Sequence, residues 1–238
     1  MPRTRAVFFD VDFTLIYPGP TFQAEGYRAF CAKHGMGNCD PTTFEAAVAE
    51  ASGLLDAAAD QEYDDLHFIR YIRGIIERMG GAGESLDACA AEIYREWAVC
   101  HHFSLYEDVV PTLRALRAKG LLLGLISNTH RSLDALQRHF ALDELISVAL
   151  SSSEHGYNKP HPSIFRTALR LLAVEPEEAL MVGDHYRHDI AGARAVGMKA
   201  VLLQRAARGP VGRAGARRAD ADDGVPVIST LSELPRLL

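Results

Sequence analysis

The sequence predicts an α/β fold: a doubly wound, parallel, Rossmann-like sheet that carries an inserted all-helical cap domain. Three observations support this prediction. Short apolar runs alternate with segments of helical periodicity in the second half of the chain, as expected where crossover helices join parallel strands. Several of these runs end abruptly in polar residues. The long segment after the first run shows helical periodicity alone.

The first apolar run, Ala6–Phe9, predicts a buried strand whose carboxyl end reaches Asp10 and Asp12. From about residue 20 to residue 104 the apolar positions recur every three to four residues, and no convincing strand interrupts them. We therefore predict a catalytic core formed by residues 1–16 and 105–238, with a helical cap formed by residues 17–104.

The second half of the chain predicts the rest of the sheet. Strands are expected at Leu121–Ile126, Ala179–Val182 and Lys199–Leu203, and Val225–Ile228 is a candidate for a further one. Helices are expected between them. Residues 205–218 contain five Arg among Gly, Ala and Pro without periodicity, which predicts a solvated loop.

Composition excludes several classes of protein. The 238 residues include 25 Lys and Arg against 31 Asp and Glu, a formal charge of −6, which is unfavourable for binding nucleic acid by bulk charge. The four cysteines form no CxxC pair, which is typical of reduced residues. The chain lacks an apolar run long enough for a signal peptide or a membrane span. We expect a cytoplasmic protein with no membrane partner.

Polar side chains stand where the predicted strands end, the edge at which open α/β sheets bind ligands. Asp10 and Asp12 follow the first strand, and the other strand ends and one loop contribute Ser127, Asn128, Lys159, Asp184 and Asp189. Taken singly, each of these residues is also compatible with a cap or a turn. Their hard oxygen ligands favour Mg²⁺, and two carboxylates two residues apart can divide the work of nucleophile and general acid.

These residues stand in four motifs that resemble those of the haloacid dehalogenase superfamily of phosphohydrolases, in its members with a helical cap. The motifs are Phe8–Leu15, Leu125–Asn128, Lys159–Phe165 and Val182–Arg194. They occur in the order and strand context of the family, and the resemblance extends over essentially the whole chain. It implies a Mg²⁺-dependent phosphatase acting on a small phosphorylated metabolite.

The resemblance also implies a role for each motif residue. Asp10 attacks phosphorus and forms an aspartyl-phosphate, and Asp12 serves as general acid and base. Ser127, Asn128 and Lys159 bind the phosphoryl group. The metal set is Asp10, Asp12, Asp184 and Asp189. With Asp12 protonated, the other three carboxylates balance Mg²⁺ and Lys159.

Asp12 separates branches of the family, because the dehalogenating members lack this second aspartate. Two residues depart from the family pattern: Phe13 stands where Gly is frequent, and His185 where a small residue is common. Cap residues His67, Arg70 and Arg73 are conceivable anion contacts, although a solvated helix face is the favoured interpretation. Two other functions stay open, a phosphomutase acting on a sugar phosphate and a non-catalytic phospho-switch.

Overall fold

The computed structural model describes residues 3–58, 62–205 and 224–238. Within these residues eight strands occur, which in chain order are β1 (Ala6–Phe9), β2 (Ile16–Pro18), β3 (Phe103–Leu105), β4 (Leu122–Ser127), β5 (Val148–Ser151), β6 (Ala179–Gly183), β7 (Lys199–Leu203) and β8 (Val227–Ile228). Six of the strands form one parallel sheet in the order β5-β4-β1-β6-β7-β8. The predicted fold class is confirmed.

Strand β1 lies in the middle of the sheet. Its four residues are apolar, as suits this position, and all of them are fully buried. Val7 and Phe9 pack into the apolar cluster on one face, whereas Ala6 and Phe8 pack into the cluster on the other face. The chain places β4 and β5 on one side of β1 and β6, β7 and β8 on the other. This reversal of strand order opens a crevice beyond the carboxyl ends of β1, β4 and β6.

Ten α-helices lie in the described part of the chain: α1 (Ala24–Lys33), α2 (Phe44–Ala51), α3 (Gly53–Ala58), α4 (Asp65–Arg78), α5 (Leu86–Glu96), α6 (Val109–Ala118), α7 (Leu133–His139), α8 (Ser152–His155), α9 (Pro162–Leu172) and α10 (Gly192–Ala195). A π-helical turn, Tyr186–Ala191, precedes α10. Among these helices none has the length and apolar character that a bilayer crossing requires.

The segment between β2 and β3 holds helices α1 to α5, in line with the expected helical texture. Strands β2 and β3 pair antiparallel and carry both connections between this segment and the sheet. The predicted domain boundaries, at residues 16/17 and 104/105, fall inside this two-stranded ribbon. The division into core and cap stays a prediction, and "cap" below denotes residues 17–104.

The sheet differs from the sequence prediction in two places, and one further prediction stays untested. Strand β5 was not expected, because its four residues form a short edge strand that is only partly buried. The candidate strand Val225–Ile228 is reduced to Val227 and Ile228. The predicted Arg-rich loop, residues 205–218, lies outside the described residues except for Arg205, which pairs with Asp108 at 2.9 Å.

Candidate active site

The crevice at the carboxyl ends of the central strands collects polar side chains from separate parts of the chain. Asp10 and Asp12 follow β1, Ser127 ends β4, and Asp184 follows β6. Asp189 lies in the π-helical turn and Lys159 in the loop before α9. All six line one cavity. Parallel strands produce this convergence because their carboxyl ends share one edge of the sheet.

Lys159 is the central cation of the crevice. Its Nζ donates to Asp10 Oδ1 at 2.6 Å, to Asp189 Oδ1 at 2.6 Å and to the Ile126 carbonyl at 2.8 Å. Burial opposes its charge, but Asp10 and Asp189 outweigh that effect and raise the pKa of Lys159. Lys159 is therefore a charged side chain held in place by two carboxylates.

Three carboxylates form an acidic cluster beside Lys159. One oxygen from each of Asp10, Asp184 and Asp189 lies within 4.8 Å of the others. Burial, with Asp189 and Asp12 adding to it against the opposing effect of Lys159, raises the pKa of Asp10 to about 7. Burial, reinforced by Asp10 and Asp189, raises the pKa of Asp184. A cation among these oxygens would relieve the repulsion.

The turn after β6 fixes Asp189 against the sheet. The Asp189 Oδ2 accepts from the His185 N–H at 3.0 Å, and a Cβ on Gly183 would overlap the Asp189 carboxylate. Glycine is therefore needed at position 183. His185 lines the cavity and stacks on His188, with ring centroids 3.9 Å apart. The departure at His185 thus brings an imidazole into the crevice.

Asp12 lies apart from the acidic cluster, in contact with a residue that the sequence did not single out. Arg131 Nη1 donates to Asp12 Oδ1 at 3.0 Å and to Oδ2 at 3.3 Å. Its Nη2 donates to the Trp97 carbonyl at 2.7 Å, and its guanidinium lies 4.1 Å from the Phe103 ring centroid. The Asp12 carboxylate faces this fully buried arginine, and its expected place among the metal residues stays a prediction.

Ser127 and Asn128 have different surroundings. The Ser127 Oγ is buried without a hydrogen-bond partner, which leaves its hydroxyl available to a ligand in the cavity. Asn128 Nδ2 donates to the Lys159 carbonyl at 2.9 Å, and its Oδ1 accepts from the Lys159 N–H at 2.6 Å. The Asn128 side chain therefore holds the main chain of Lys159.

Phe13 adopts a backbone conformation that favours glycine, with φ of +63°. Its N–H donates to the Ile16 carbonyl at 2.7 Å, and its side chain lines the cavity. Phe13 therefore adopts the left-handed backbone conformation that glycine adopts easily. For a residue with a side chain, this conformation costs about 1–3 kcal/mol.

The three cap residues considered as anion contacts have different surroundings in the structure. His67 lines the cavity. Arg70 is exposed, and Arg73 pairs with Glu77 at 3.2 Å and with Asp87. The favoured interpretation of a solvated face holds for the two arginines and is wrong for His67.

Arg131 is the residue of this site that sequence reasoning missed. It stands four positions after Ser127 and is fully buried. Its position just after the second motif, Leu125–Asn128, was the one feature of the sequence that could have indicated a place in the site. Its partner Asp12 lies 119 positions away in the chain, however, and no local pattern identifies such a pair.

Comparison with known proteins connects this geometry to one family. A family model described as haloacid dehalogenase-like hydrolase matches residues 4–197. Phosphoserine phosphatase of Thermus thermophilus is 37% identical over 143 residues, which are 58% of this chain and 55% of that enzyme. The chain thus spans about half the length of that relative.

Two further similarities extend over most of the chain. Glyceraldehyde 3-phosphate phosphatase of Methanopyrus kandleri is 30% identical over 212 residues, 84% of each protein. The crystal structure of a 2-haloacid dehalogenase from Pseudomonas syringae pv. Tomato superimposes with a TM-score of 0.60 at 26% identity, covering 98% of this chain and 97% of that one.

Proposed function

The chain belongs to the haloacid dehalogenase-like hydrolase family, and we propose that it is a Mg²⁺-dependent phosphatase that hydrolyses a small phosphorylated metabolite. Two of the similar proteins are phosphatases and one is a dehalogenase. The observation that favours phosphatase is Asp12, which adds a second carboxylate two residues after Asp10 in the same cavity. An alkoxide leaving group needs a proton, whereas a halide does not.

The acidic cluster supports the proposed metal. Its members offer carboxylate oxygens alone, the ligand type that Mg²⁺ prefers. Asp10, Asp184 and Asp189 would hold the ion, and Lys159 neutralises one of their charges. When bound, Mg²⁺ supplies positive charge close to the transferred phosphoryl group.

In the proposed reaction, a carboxylate oxygen of Asp10 attacks phosphorus, and the bond from phosphorus to the leaving oxygen breaks. Asp12 donates a proton to that oxygen, which leaves as an alcohol. Asp12 then takes a proton from water while the water oxygen attacks phosphorus, which releases phosphate and restores Asp10. The Ser127 hydroxyl donates a hydrogen bond to a phosphoryl oxygen. Asn128 positions Lys159 through hydrogen bonds to its main chain.

Arg131 adds a second positive charge to the site. Four aspartates, Lys159 and Arg131 sum to −2, which one divalent cation neutralises. The Arg131 contact holds the Asp12 carboxylate in place for its proposed role as the base that accepts the proton of water. Arg131 also donates to the Trp97 carbonyl in the cap, so the same guanidinium contacts both Asp12 and the cap.

Phosphate release tests the proposal. Wild-type protein with Mg²⁺ is expected to release inorganic phosphate from benzyl phosphate, and chelation should abolish this release until Mg²⁺ is restored. Asp10→Asn should lose more than about 1,000-fold in kcat, because the amide keeps the shape and lacks the nucleophile.

Three results would contradict the proposal. They are release that survives chelation, release by Asp10→Asn at the wild-type rate, and isomerised sugar phosphate without free phosphate. The last result would instead support the phosphomutase.

A further inference from the structure

A cavity of about 240 Å³ lies over the acidic site, and the cap forms its far wall. Its volume is below the range of about 300–1,000 Å³ that is usual for ligand pockets. The wall is mostly apolar or aromatic, with Tyr71, Ile72, Ile75, Tyr94 and Trp97 among its members. Burial raises the pKa of Tyr71 to about 12, in keeping with a dry surrounding.

The basic residues of the cap all lie away from this cavity. The cap contains six, and none of them lines the cavity: Arg28, Lys33, Arg70, Arg73, Arg78 and Arg95. Four of them pair with acidic residues on the outer surface, for example Lys33 with Glu92 and Arg78 with Glu50. Cations of the cap therefore do not face the part of a substrate that extends beyond the phosphate.

The core side of the cavity offers little compensation. Among the described residues, Lys159 is the one Lys or Arg that lines it, and both of its carboxylate partners belong to the acidic cluster. The imidazole of His130 stacks on Tyr94, with ring centroids 3.8 Å apart. Burial, with Arg131 adding to it, lowers the pKa of His130, so this ring does not supply a positive charge.

A buried polar atom of the cap wall is available to a ligand. The Nδ1 of His67 is buried and has no hydrogen-bond partner, and His67 lines the cavity. A buried ring nitrogen without a partner is unfavourable unless a ligand supplies one. The wall therefore has room for a hydroxyl or carbonyl group of the substrate beside His67.

We infer that the substrate is a monophosphate ester of a small, uncharged and mostly apolar alcohol or phenol, about one ring in size. The inference rests on the proposed function and narrows its substrate. A carboxylate or a second phosphate on the alcohol part would be buried without a counter-charge, which proteins avoid. Phosphorylated hydroxy acids and amino acids are thereby excluded.

Two phosphonates that cannot be hydrolysed test this inference independently of turnover. Benzylphosphonate and 4-carboxybenzylphosphonate share the ring and differ by one remote carboxylate. Calorimetric titration with Mg²⁺ at about pH 8, where an ordinary imidazole is neutral, compares their affinities. We expect benzylphosphonate to bind at least about 100-fold more tightly. Equal affinities, or tighter binding of the carboxylate, would overturn the inference.

Hydrolysis of the matching esters separates this inference from the proposed function. Benzyl phosphate should have the higher kcat/KM, and phosphoserine should not be a substrate. Turnover of phosphoserine without turnover of benzyl phosphate would overturn the inference and leave the phosphatase intact. Selective phosphonate binding without hydrolysis of any ester would support the inference and contradict the proposed function.

A charge placed in the cap wall provides a gain-of-function test. Ser52 lines the cavity at the end of α2 and is half-buried, so a longer side chain fits there more easily than in the middle of α4. Ser52→Lys should improve binding of 4-carboxybenzylphosphonate by at least about tenfold, and Ser52→Met should not. Equal changes in two folded variants would contradict the inference.

Discussion

At the scale of single residues, the contact between Arg131 and Asp12 is the feature that most changes the chemistry of the site. A fully buried guanidinium holds both oxygens of a carboxylate whose side chain is 17% exposed. Removing one partner of such a pair leaves an uncompensated charge, whereas removing both does not. The two substitutions are therefore expected to be non-additive.

A double-mutant cycle measures this coupling. In the wild-type protein, Arg131→Met should lower the free energy of unfolding by about 2–4 kcal/mol. In the Asp12→Asn variant the same substitution should have an effect that is smaller by at least about 1 kcal/mol. Urea titrations of the four proteins give the values. The exposed pair Arg78–Glu50 is the control, where the coupling should stay below about 0.5 kcal/mol. An additive result for Arg131 and Asp12 would contradict their pairing.

The sequence located most candidate residues but not their partners. Asp10, Ser127 and Asp184 were predictable because they end apolar strands, and the ends of parallel strands converge. The contacts of Asp12 and Asn128 were not, because each depends on a residue 31 or more positions away. The inward orientation of His67 depends on the rotation of α4, which a pattern of apolar residues fixes only coarsely.

At the scale of elements, the junction of β6 with the π-helical turn determines where Asp189 lies. Gly183 ends the strand, and the Asp189 carboxylate occupies the space that a Cβ would need. The strand itself was predictable because five buried residues form a continuous apolar run. The π-helical turn was not, since nothing in the pattern distinguishes it from the start of an ordinary helix.

Gly183→Ala is expected to displace Asp189 and so to weaken the metal site. The Mg²⁺ concentration for half-maximal phosphate release should rise at least about tenfold, because the added methyl group moves a carboxylate out of the cluster. The control is Gly37→Ala, where nothing lies within 4 Å of the new Cβ. An unchanged Mg²⁺ requirement in a folded Gly183→Ala variant would contradict the role of Asp189.

At the scale of the whole molecule, the sheet and the cap contribute different parts of the proposed function. The parallel sheet brings the acidic cluster and Lys159 together at one edge, whereas the cap supplies an apolar wall. The ribbon of β2 and β3 and the contact of Arg131 with Trp97 connect the two. The chemistry was therefore predictable from strand ends, while the substrate class required the packing of the cap.

The central claim is that Asp10 carries the phosphoryl group, and reductive trapping tests it most directly. Borohydride converts an aspartyl-phosphate to homoserine, and Asp12→Asn should slow the hydrolysis of the intermediate enough for it to accumulate. After incubation with 4-nitrophenyl phosphate, whose leaving group departs without a proton from Asp12, and with Mg²⁺, peptide mass spectrometry is predicted to find homoserine at position 10. Unmodified Asp10 in protein that is turning over substrate, or homoserine at another position, would contradict the account.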